Sequence, residues 1–231
     1  MIGFFDYTVI LTYLSLVSAS CGILVALSGG GHPYIGTFFL LFCGLCDAFD
    51  GKVARTKKDR SPAERSFGVQ IDSLSDLVAF GVLPAAIGSA MLRWSALIHL
   101  VHGTPLQRLL EFGWTAVLIV YILAAMIRLA YYNVTEEERQ KTEDGVRKYY
   151  TGLPVTSAAL IFPVILLLQY VIPTDLTPMY FATAVFCAVA FLSPVQIRKP
   201  GLRGVLILVG IGAVEFLLML TLILLRKFLV C

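Results

Sequence analysis

The sequence predicts an all-α fold, a polytopic bundle of helices that crosses a membrane several times. Of its 231 residues, 58% are hydrophobic and 14% are charged, whereas soluble domains average roughly 45–50% and about 25%. Apolar segments of about 20 residues, the length that an α-helix needs to cross the hydrocarbon layer, recur along the chain. The formal net charge of +3 is too small to indicate a nucleic-acid partner. We therefore expect membrane lipid around the protein and no nucleic acid bound to it.

Seven apolar segments account for most of the chain. The first ends at three successive glycines, Gly29, Gly30 and Gly31, which predict a turn. A piece at 95–101 is apolar but too short to span, so we expect it at the membrane interface or as an extension of the third helix. The charged run 135–148 is predicted to be a solvated linker. The predicted helices cover residues 7–27, 34–55, 68–92, 112–133, 153–171, 179–192 and 204–225.

The distribution of Lys and Arg predicts how these helices are oriented. If the connection between the second and third helices is cytoplasmic, fourteen Lys and Arg residues lie on the cytoplasmic side and four lie outside. Cytoplasmic loops of membrane proteins carry such an excess. We therefore expect a multi-pass protein of the cell membrane whose N-terminus is cytoplasmic and whose C-terminus is outside.

Four aspartates stand out in this apolar background because they form two close pairs. Asp47 and Asp50 lie three residues apart near the end of the second helix, and Asp72 and Asp76 lie four apart near the start of the third. Both spacings place the carboxylates of a pair on one face of a helix. Like charges so arranged repel and are costly to bury, so a strong compensating charge is needed. Carboxylate oxygens suit Mg2+, Mn2+ or Ca2+ better than zinc, and the pairs therefore predict a divalent-metal site at a membrane surface.

Other interpretations of the four aspartates remain open from the residues alone. They could be structural groups at helix ends, belong to a non-catalytic scaffold, or line the path of a cation transporter or channel. A transporter would need acids near mid-bilayer and along both halves of a path, whereas these lie at one face. Cys43 and Cys46 form a CxxC pair, but no thioredoxin-like pattern surrounds it. We interpret that pair as small residues that pack between helices.

Small residues and arginines accompany the acidic pairs. Gly51, Ala54 and Gly68 lack large side chains, so a flat group could approach the backbone there. Arg55 follows Gly51 by about one helical turn and could bind a phosphate, or it could extend to the membrane interface. Arg128 lies near the cytoplasmic end of the fourth predicted helix, where an arginine within a span is a candidate functional residue. Its alternative partner is a helix-end carbonyl or a lipid headgroup.

One spacing pattern runs through these residues. It reads D-x2-D-G-x2-A-R from Asp47 to Arg55 and G-x3-D-x3-D from Gly68 to Asp76, and it resembles the signature of the CDP-alcohol phosphotransferase family. Twelve residues separate Arg55 from Gly68, more than is usual in that family, so we expect an enlarged cytoplasmic loop. The resemblance implies a six-helix transmembrane domain at 1–200, an additional transmembrane helix within 201–231, and a homodimer.

The resemblance also implies roles for the motif residues. Two divalent ions, Mg2+ or Mn2+, would neutralise a diphosphate so that its phosphorus can be attacked. Asp76 would also act as the general base that takes the proton from the attacking hydroxyl. The implied metal ligands are Asp47, Asp50, Asp72 and Asp76. The implied contacts to the CDP group are Asp47, Gly51, Ala54, Arg55 and Gly68.

Three further segments are similar to the phosphatidylserine synthase branch of that family. They are DSLSDLVAFGVLPA at 72–85, IRLAYYNV at 127–134 and YYTGLPVTSAA at 149–159. Tyr131 stands where that branch usually has an arginine. The implied reaction transfers the phosphatidyl group of CDP-diacylglycerol to the hydroxyl of L-serine and releases CMP. Arg128 would then bind the serine carboxylate or the lipid phosphate.

Other acceptors used within the family remain open, namely glycerol phosphate, inositol phosphate, and a diacylglycerol that accepts phosphocholine. A phosphorylated acceptor would need extra basic side chains near the fourth to sixth helices, and Arg128 is the one Lys or Arg inside those predicted spans. This favours a small zwitterion such as serine. Of the remaining polar residues, Asn133 is predicted to cap the fourth helix. Glu215 is predicted to be protonated and hydrogen-bonded between helices.

Overall fold

The structure of the chain is a computed structural model that describes residues 3–29, 31–142 and 149–230. A 3-10 turn at Tyr7–Val9 leads into α1 (Ile10–Leu27), which is followed by α2 (Pro33–Ala54). Helix α3 (Pro62–Asp76) continues through a π-helical turn (Leu77–Val82) into α4 (Leu83–Leu92). The remaining elements are α5 (Ala96–Leu100), α6 (Pro105–Thr142), β1 (Tyr149–Thr151), a 3-10 turn at Val155–Ser157, α7 (Ala158–Val171), α8 (Thr177–Leu192), β2 (Gln196–Arg198) and α9 (Leu202–Val230).

The predicted all-α, multi-pass membrane bundle is confirmed. Two shorter apolar helices, Val155–Val171 and Thr177–Leu192, occupy the positions of the fifth and sixth predicted spans. Helices satisfy their own backbone groups, which is why they are suited to the bilayer core. Within the described residues, five further helices are long and apolar enough to cross a membrane, namely Tyr7–Leu27, Pro33–Ala54, Pro62–Leu100, Pro105–Arg139 and Leu202–Leu225.

The third helix begins six residues before the predicted start, at Pro62 rather than Gly68. Ser61 accepts a hydrogen bond from the backbone N–H of Glu64, and the Glu64 carboxylate accepts one from the backbone N–H of Ser61 at 2.7 Å. This capping box and the proline at the first helical position stabilise the start of α3 at Pro62. Half of the predicted loop is therefore helical, and the Ser-Pro-x-Glu sequence was the signal for it.

Helix α6 is much longer than predicted. It extends through charged residues that were expected to form a solvated linker, as far as Thr142. Glu136 pairs with Arg139 at 2.7 Å, and Glu137 pairs with Lys141 at 2.8 Å. Such i,i+3 and i,i+4 ion pairs stabilise an exposed helix modestly. The linker prediction is wrong for 135–142, and residues 143–148 lie outside the described part of the chain.

A two-stranded antiparallel ladder joins the start of α7 to the start of α9. Strand β1 pairs with β2 so that Tyr150 lies opposite Ile197. Gly152 ends β1 with a φ of +75°, and its N–H donates to the carbonyl of Val195 at 2.8 Å. Strands of three residues are too short to show a periodic pattern, and the sequence did not predict this ladder.

An aromatic core lies where α4, α6, α7 and α8 meet. Tyr121 and Tyr180 are fully buried in it, and the Tyr180 hydroxyl donates to the carbonyl of Pro84 at 2.7 Å. The Tyr121 hydroxyl donates to the carbonyl of Phe80. Because Pro84 lacks an N–H, it cannot complete the i→i−4 hydrogen bond to that carbonyl. The π-helical turn and the tyrosine together resolve this defect inside the span.

The apolar piece at 95–101 forms the short helix α5 and is tied to the start of α8. The Asp175 carboxylate accepts hydrogen bonds from Ser95 Oγ at 2.7 Å and from the Thr177 N–H at 2.9 Å. Partial burial opposes ionisation of this group, but the hydrogen bonds outweigh it and hold the pKa of Asp175 below its usual range. A single carboxylate thus joins two helix starts at this end of the bundle.

Helix α9 packs against α2 and α7 rather than standing apart. Phe216 on α9 makes an edge-to-face contact with Phe38 on α2, with ring centroids 5.0 Å apart. Glu215 is buried, and its Oε2 has no hydrogen-bond partner among the described residues. The interhelical hydrogen bond predicted for Glu215 is therefore not made by this oxygen.

Candidate active site

The two aspartate pairs meet in space. Their nearest members in the sequence, Asp50 and Asp72, are 22 residues apart. Asp50 at the end of α2 lies within hydrogen-bonding reach of Asp72 on α3. Asp47 interacts electrostatically with Asp72, and Asp76 interacts with the other three. Helix α1 packs against both α2 and α3 and so brings the two parts of the motif together. The described side chains thus form one acidic cluster.

Arg128 supplies the charge that such a cluster needs. It projects from α6, is only 7% exposed, and interacts electrostatically with both Asp47 and Asp76. Asp76 is 9% exposed and is the most buried of the four acids. A buried cation next to buried carboxylates offsets part of their repulsion and desolvation. The structure thus places Arg128 beside the acids of the motif.

A cavity of about 1210 Å3 opens beside the cluster. Its polar end includes Asp47, Asp72, Asp76 and Arg128, and apolar residues of α2, α7 and α9 form much of its remaining wall. Sites for small ligands measure roughly 300–1,000 Å3. A large cavity with a charged end and an apolar wall fits an amphiphile better than a small polar ligand.

The predicted nucleotide contacts divide into two groups. Gly51 and Arg55 line the cavity together with Asp47. Ala54 and Gly68 are not among its lining residues, and neither is Asp50. At Gly68 the reason is visible, because a Cβ there would stand 2.5 Å from Nη2 of Arg60, whose side chain covers this glycine.

The cavity is also lined by polar residues that the sequence did not assign to the site, namely Lys52, Ser73, Tyr132, Asn133, Tyr150, Thr156, Ser157 and Lys199. The Arg128 guanidinium lies 5.1 Å from the ring centroid of Tyr132 and 5.9 Å from that of Tyr150. The Lys199 ammonium lies 5.4 Å from the centroid of Tyr150. These distances are typical of cation–π contacts.

Asn133 is not a helix cap, because α6 continues for nine residues beyond it. Its Nδ2 instead donates to Ser73 Oγ at 2.7 Å, which ties α6 to the helix that carries Asp72. Tyr132 follows Arg128 by four residues, so its place on the same helix face could have been found from the spacing. Tyr150 and Lys199 carried no such signal, because the β1–β2 ladder brings them together.

The donor set fits a hard divalent cation, although the described acidic side chains do not form a closed cage. Among the described residues, no group of three or more Asp, Glu, His or Cys side chains is arranged to hold an ion by itself. Magnesium is often bound by one or two carboxylates and completed by water and substrate phosphate oxygens. A loose cluster of four carboxylates beside a cavity matches that mode of binding.

The N-terminal segment fastens the loop that joins the two halves of the motif. Lys57 donates to Asp6 at 2.7 Å and to Glu64 at 2.8 Å. The hydrogen bond from Lys57 lowers the pKa of Asp6 to about 2. The two carboxylates raise the pKa of Lys57 in turn. Surface ion pairs are individually weak. The two that Lys57 makes, however, join the N-terminal segment, the loop after α2 and the start of α3.

Comparison with known proteins agrees with the geometry. The family model described as CDP-alcohol phosphatidyltransferase matches residues 7–196, which include all four aspartates and Arg128. The chain belongs to the CDP-alcohol phosphatidyltransferase family. The sequence resemblance to this family is thereby confirmed.

Several curated members of the CDP-alcohol phosphatidyltransferase family are similar to the chain. It is 34% identical over 138 residues to a CDP-diacylglycerol–serine O-phosphatidyltransferase of Saccharomyces cerevisiae, covering 58% of this chain and 43% of that protein. It is 29% identical over 150 residues to a Mycobacterium leprae protein of the same name, covering 65% and 43%. It is 33% identical over 150 residues to an archaetidylserine synthase of Methanothermobacter thermautotrophicus, covering 64% and 53%. The chain thus spans about half the length of these relatives.

Proposed function

We propose that the chain transfers the phosphatidyl group of CDP-diacylglycerol to the hydroxyl of L-serine and releases CMP. The observation that carries this proposal is the cavity, which has the acidic cluster and Arg128 at one end and an apolar wall along the membrane-spanning helices. A lipid nucleotide has this same division into a charged head and apolar tails. The names of the similar proteins support serine as the acceptor.

Asp76 is the proposed general base. It lines the cavity beside Arg128 and is held by the helix that leads into the π-helical turn. The serine hydroxyl oxygen forms a bond to the phosphorus that carries the diacylglycerol. The P–O bond to CMP breaks, and its electron pair leaves with CMP. The proton of the serine hydroxyl passes to the Asp76 carboxylate.

The acidic cluster is the proposed metal site for two Mg2+ or Mn2+ ions. When bound, such ions neutralise the diphosphate and polarise its phosphorus. The protein's own contribution is to gather the carboxylates at the cavity and to keep Arg128 opposite them. The proposed ligands are Asp47, Asp50, Asp72 and Asp76.

The nucleotide is proposed to lie along the exposed end of α2. Gly51 leaves the backbone open there, since the nearest atom to a Cβ would be Arg55 Nη1 at 3.7 Å. Arg55 is exposed and can fold over a phosphate or the cytosine carbonyl. Gly68 would join the site only if the Arg60 side chain moved aside, and Ala54 would lie just beyond the cavity lining. Arg128 is proposed to bind the serine carboxylate or the lipid phosphate.

A phosphorylated acceptor is the second candidate, and one observation favours it. Lys199 lines the polar end of the cavity near Arg128, bridged to it by the ring of Tyr150. The sequence argument for serine rested on Arg128 being the one basic residue inside the spans. A cation from the β2–α9 connection supplies the additional charge that an acceptor phosphate requires.

The polar end of the cavity is proposed to face the cytoplasm, and the protein is proposed to be a homodimer. The excess of Lys and Arg on that side supports the orientation, and the dimer rests on the family resemblance. Arg65 is exposed near the start of α3. In a cysteine-free background, R65C should react with an impermeant maleimide in inverted membrane vesicles and not in right-side-out vesicles. Mass measurement in nanodiscs tests the dimer.

The decisive experiment measures CMP release by the purified protein in CDP-diacylglycerol vesicles. Serine, glycerol phosphate and inositol phosphate are supplied separately, with and without a chelator, and diacylglycerol is supplied with CDP-choline in vesicles that lack CDP-diacylglycerol. We expect release with serine, its loss on chelation, and its recovery on adding Mg2+ or Mn2+. Faster release with a phosphorylated acceptor would establish the second candidate. Full activity after chelation would refute the proposed role of the acids.

A further inference from the structure

Helix α9 lies beyond the residues that the family model matches, yet it forms much of the cavity wall. Its lining residues follow one another at steps of three or one, which places them on one helix face. From Leu202 to Leu217 this face extends 15 residues, or about 22 Å. The lining residues of α9 are Leu202, Val205, Leu208, Val209, Gly212, Ala213, Phe216 and Leu217.

The cavity has a polar end and an apolar floor. The first residues of α9 follow Lys199, which lies at the polar end, so the floor is formed by its last lining residues. There the Phe216 ring contacts Phe38 on α2. Phe38 precedes Asp47 by nine residues on the same helix, a distance of about 14 Å along the axis. Half of the hydrocarbon thickness is about 15 Å.

The floor therefore lies one leaflet's depth below the acidic cluster. The occupant that fits this length, the apolar wall and the charged end is one acyl chain of the lipid whose head lies at the acids. Helix α9 packs closely at the middle of this wall, because a Cβ at Gly212 would stand 3.2 Å from Leu160 Cδ2. The next lining residue, Ala213, faces the cavity with a single methyl group.

We infer that α9 selects the length of the lipid's acyl chain, with Ala213 setting the width of the channel and Phe216 its floor. This inference rests on the proposed function, since it names the part of the lipid substrate that the cavity distinguishes. It assigns to α9, which the family match leaves out, a role in the choice of substrate. The division between residues 1–200 and 201–231 would then separate a common catalytic part from a selective wall.

Two variants change the cavity in opposite directions. A213F narrows the channel about one turn above the floor, and F216A removes the floor. Val214 and Leu218 are exposed on α9 and do not line the cavity, so V214F and L218A are matched controls. Purified variants receive equimolar CDP-diacylglycerols with short and long acyl chains in one vesicle, and the two lipid products are quantified by mass spectrometry.

A213F should raise the short-to-long product ratio by about tenfold, since a misfit of a few methylene groups in an apolar site produces discrimination of this size. F216A should lower the same ratio, and the two controls should leave it unchanged. If both A213F and F216A keep the wild-type ratio while CMP release continues, the inference is overturned. An equal change in the controls would overturn it too.

A second readout keeps the inference separate from the proposed reaction. Native mass spectrometry of each variant, purified from vesicles of mixed chain length, reports which CDP-lipids remain bound. If no acceptor yields CMP, the proposed function fails, while a shift in the bound chain lengths between A213F and F216A still supports selection by α9. The same bound lipids in all variants would refute it. Because F216A removes bulk and A213F adds it, misfolding of one variant leaves the other decisive.

Discussion

Replacing Gly152 by alanine should disrupt the β1–β2 ladder and with it the polar end of the cavity. Gly152 has a φ of +75°, in the region that residues with a Cβ rarely adopt. A Cβ there would stand 2.5 Å from the carbonyl oxygen of Phe191 and 3.1 Å from that of Ser193. These are backbone atoms, so relief requires the chain to move. Tyr150, two residues earlier, would move with it.

Two costs add up at this position. The left-handed backbone costs a non-glycine residue about 1–2 kcal/mol, and forcing a methyl group into a packed site costs about 1–3 kcal/mol. The expected loss of stability is therefore about 2–5 kcal/mol, which for a chain of this size lowers the midpoint of thermal unfolding by roughly 4–20 °C. The assay heats the detergent-solubilised protein to a series of temperatures and measures the fraction that remains monodisperse after each.

Gly103 provides the matched control. Its φ is +78°, and nothing lies within 4 Å of the position that a Cβ would occupy. G103A therefore carries the backbone cost alone, and the difference between the two variants measures the contact. If G152A lowers the unfolding midpoint no more than G103A does, the close approach of the Phe191 carbonyl is not a constraint and the reasoning is refuted.

Three other predictions follow from the site and its supports. D76N should reduce the rate of CMP release by about 10²–10⁴-fold while CDP-lipid binding persists, because a general base contributes this much; an active D76N enzyme would contradict the proposed role. The Asp6 pKa of about 2 is below its unfolded value of about 3.9, so stability from its pairing with Lys57 is full above pH 4 and is lost as the pH falls toward 2. D6N should remove that part of the acid sensitivity in unfolding scans, whereas an unchanged pH profile would refute the linkage. Y180F should cost about 0.5–1.5 kcal/mol by removing the buried hydrogen bond from the Tyr180 hydroxyl to the Pro84 carbonyl, and an unchanged unfolding midpoint would show that this hydrogen bond adds no stability.

The spans and the motif could be recognised from the sequence because both are local properties. The predicted ranges of the first two helices agree with α1 and α2 to within three residues, since long apolar runs leave few alternatives in a membrane. The errors at Pro62 and Thr142 occurred where helices continue into charged segments. There a capping box and side-chain ion pairs, rather than hydrophobicity, decide where a helix begins or ends.

The sequence by itself determined the helical membrane fold, the family signature and the four acids, because each is encoded by residue type and short spacing. Only the tertiary structure decided that Arg128 lies among those acids, that Arg60 covers Gly68, and that Tyr150 and Lys199 meet at the cavity. It also decided that α9 forms a wall of the site. These contacts join residues far apart in the chain, and their geometry depends on how whole helices pack, which no local pattern of residues specifies.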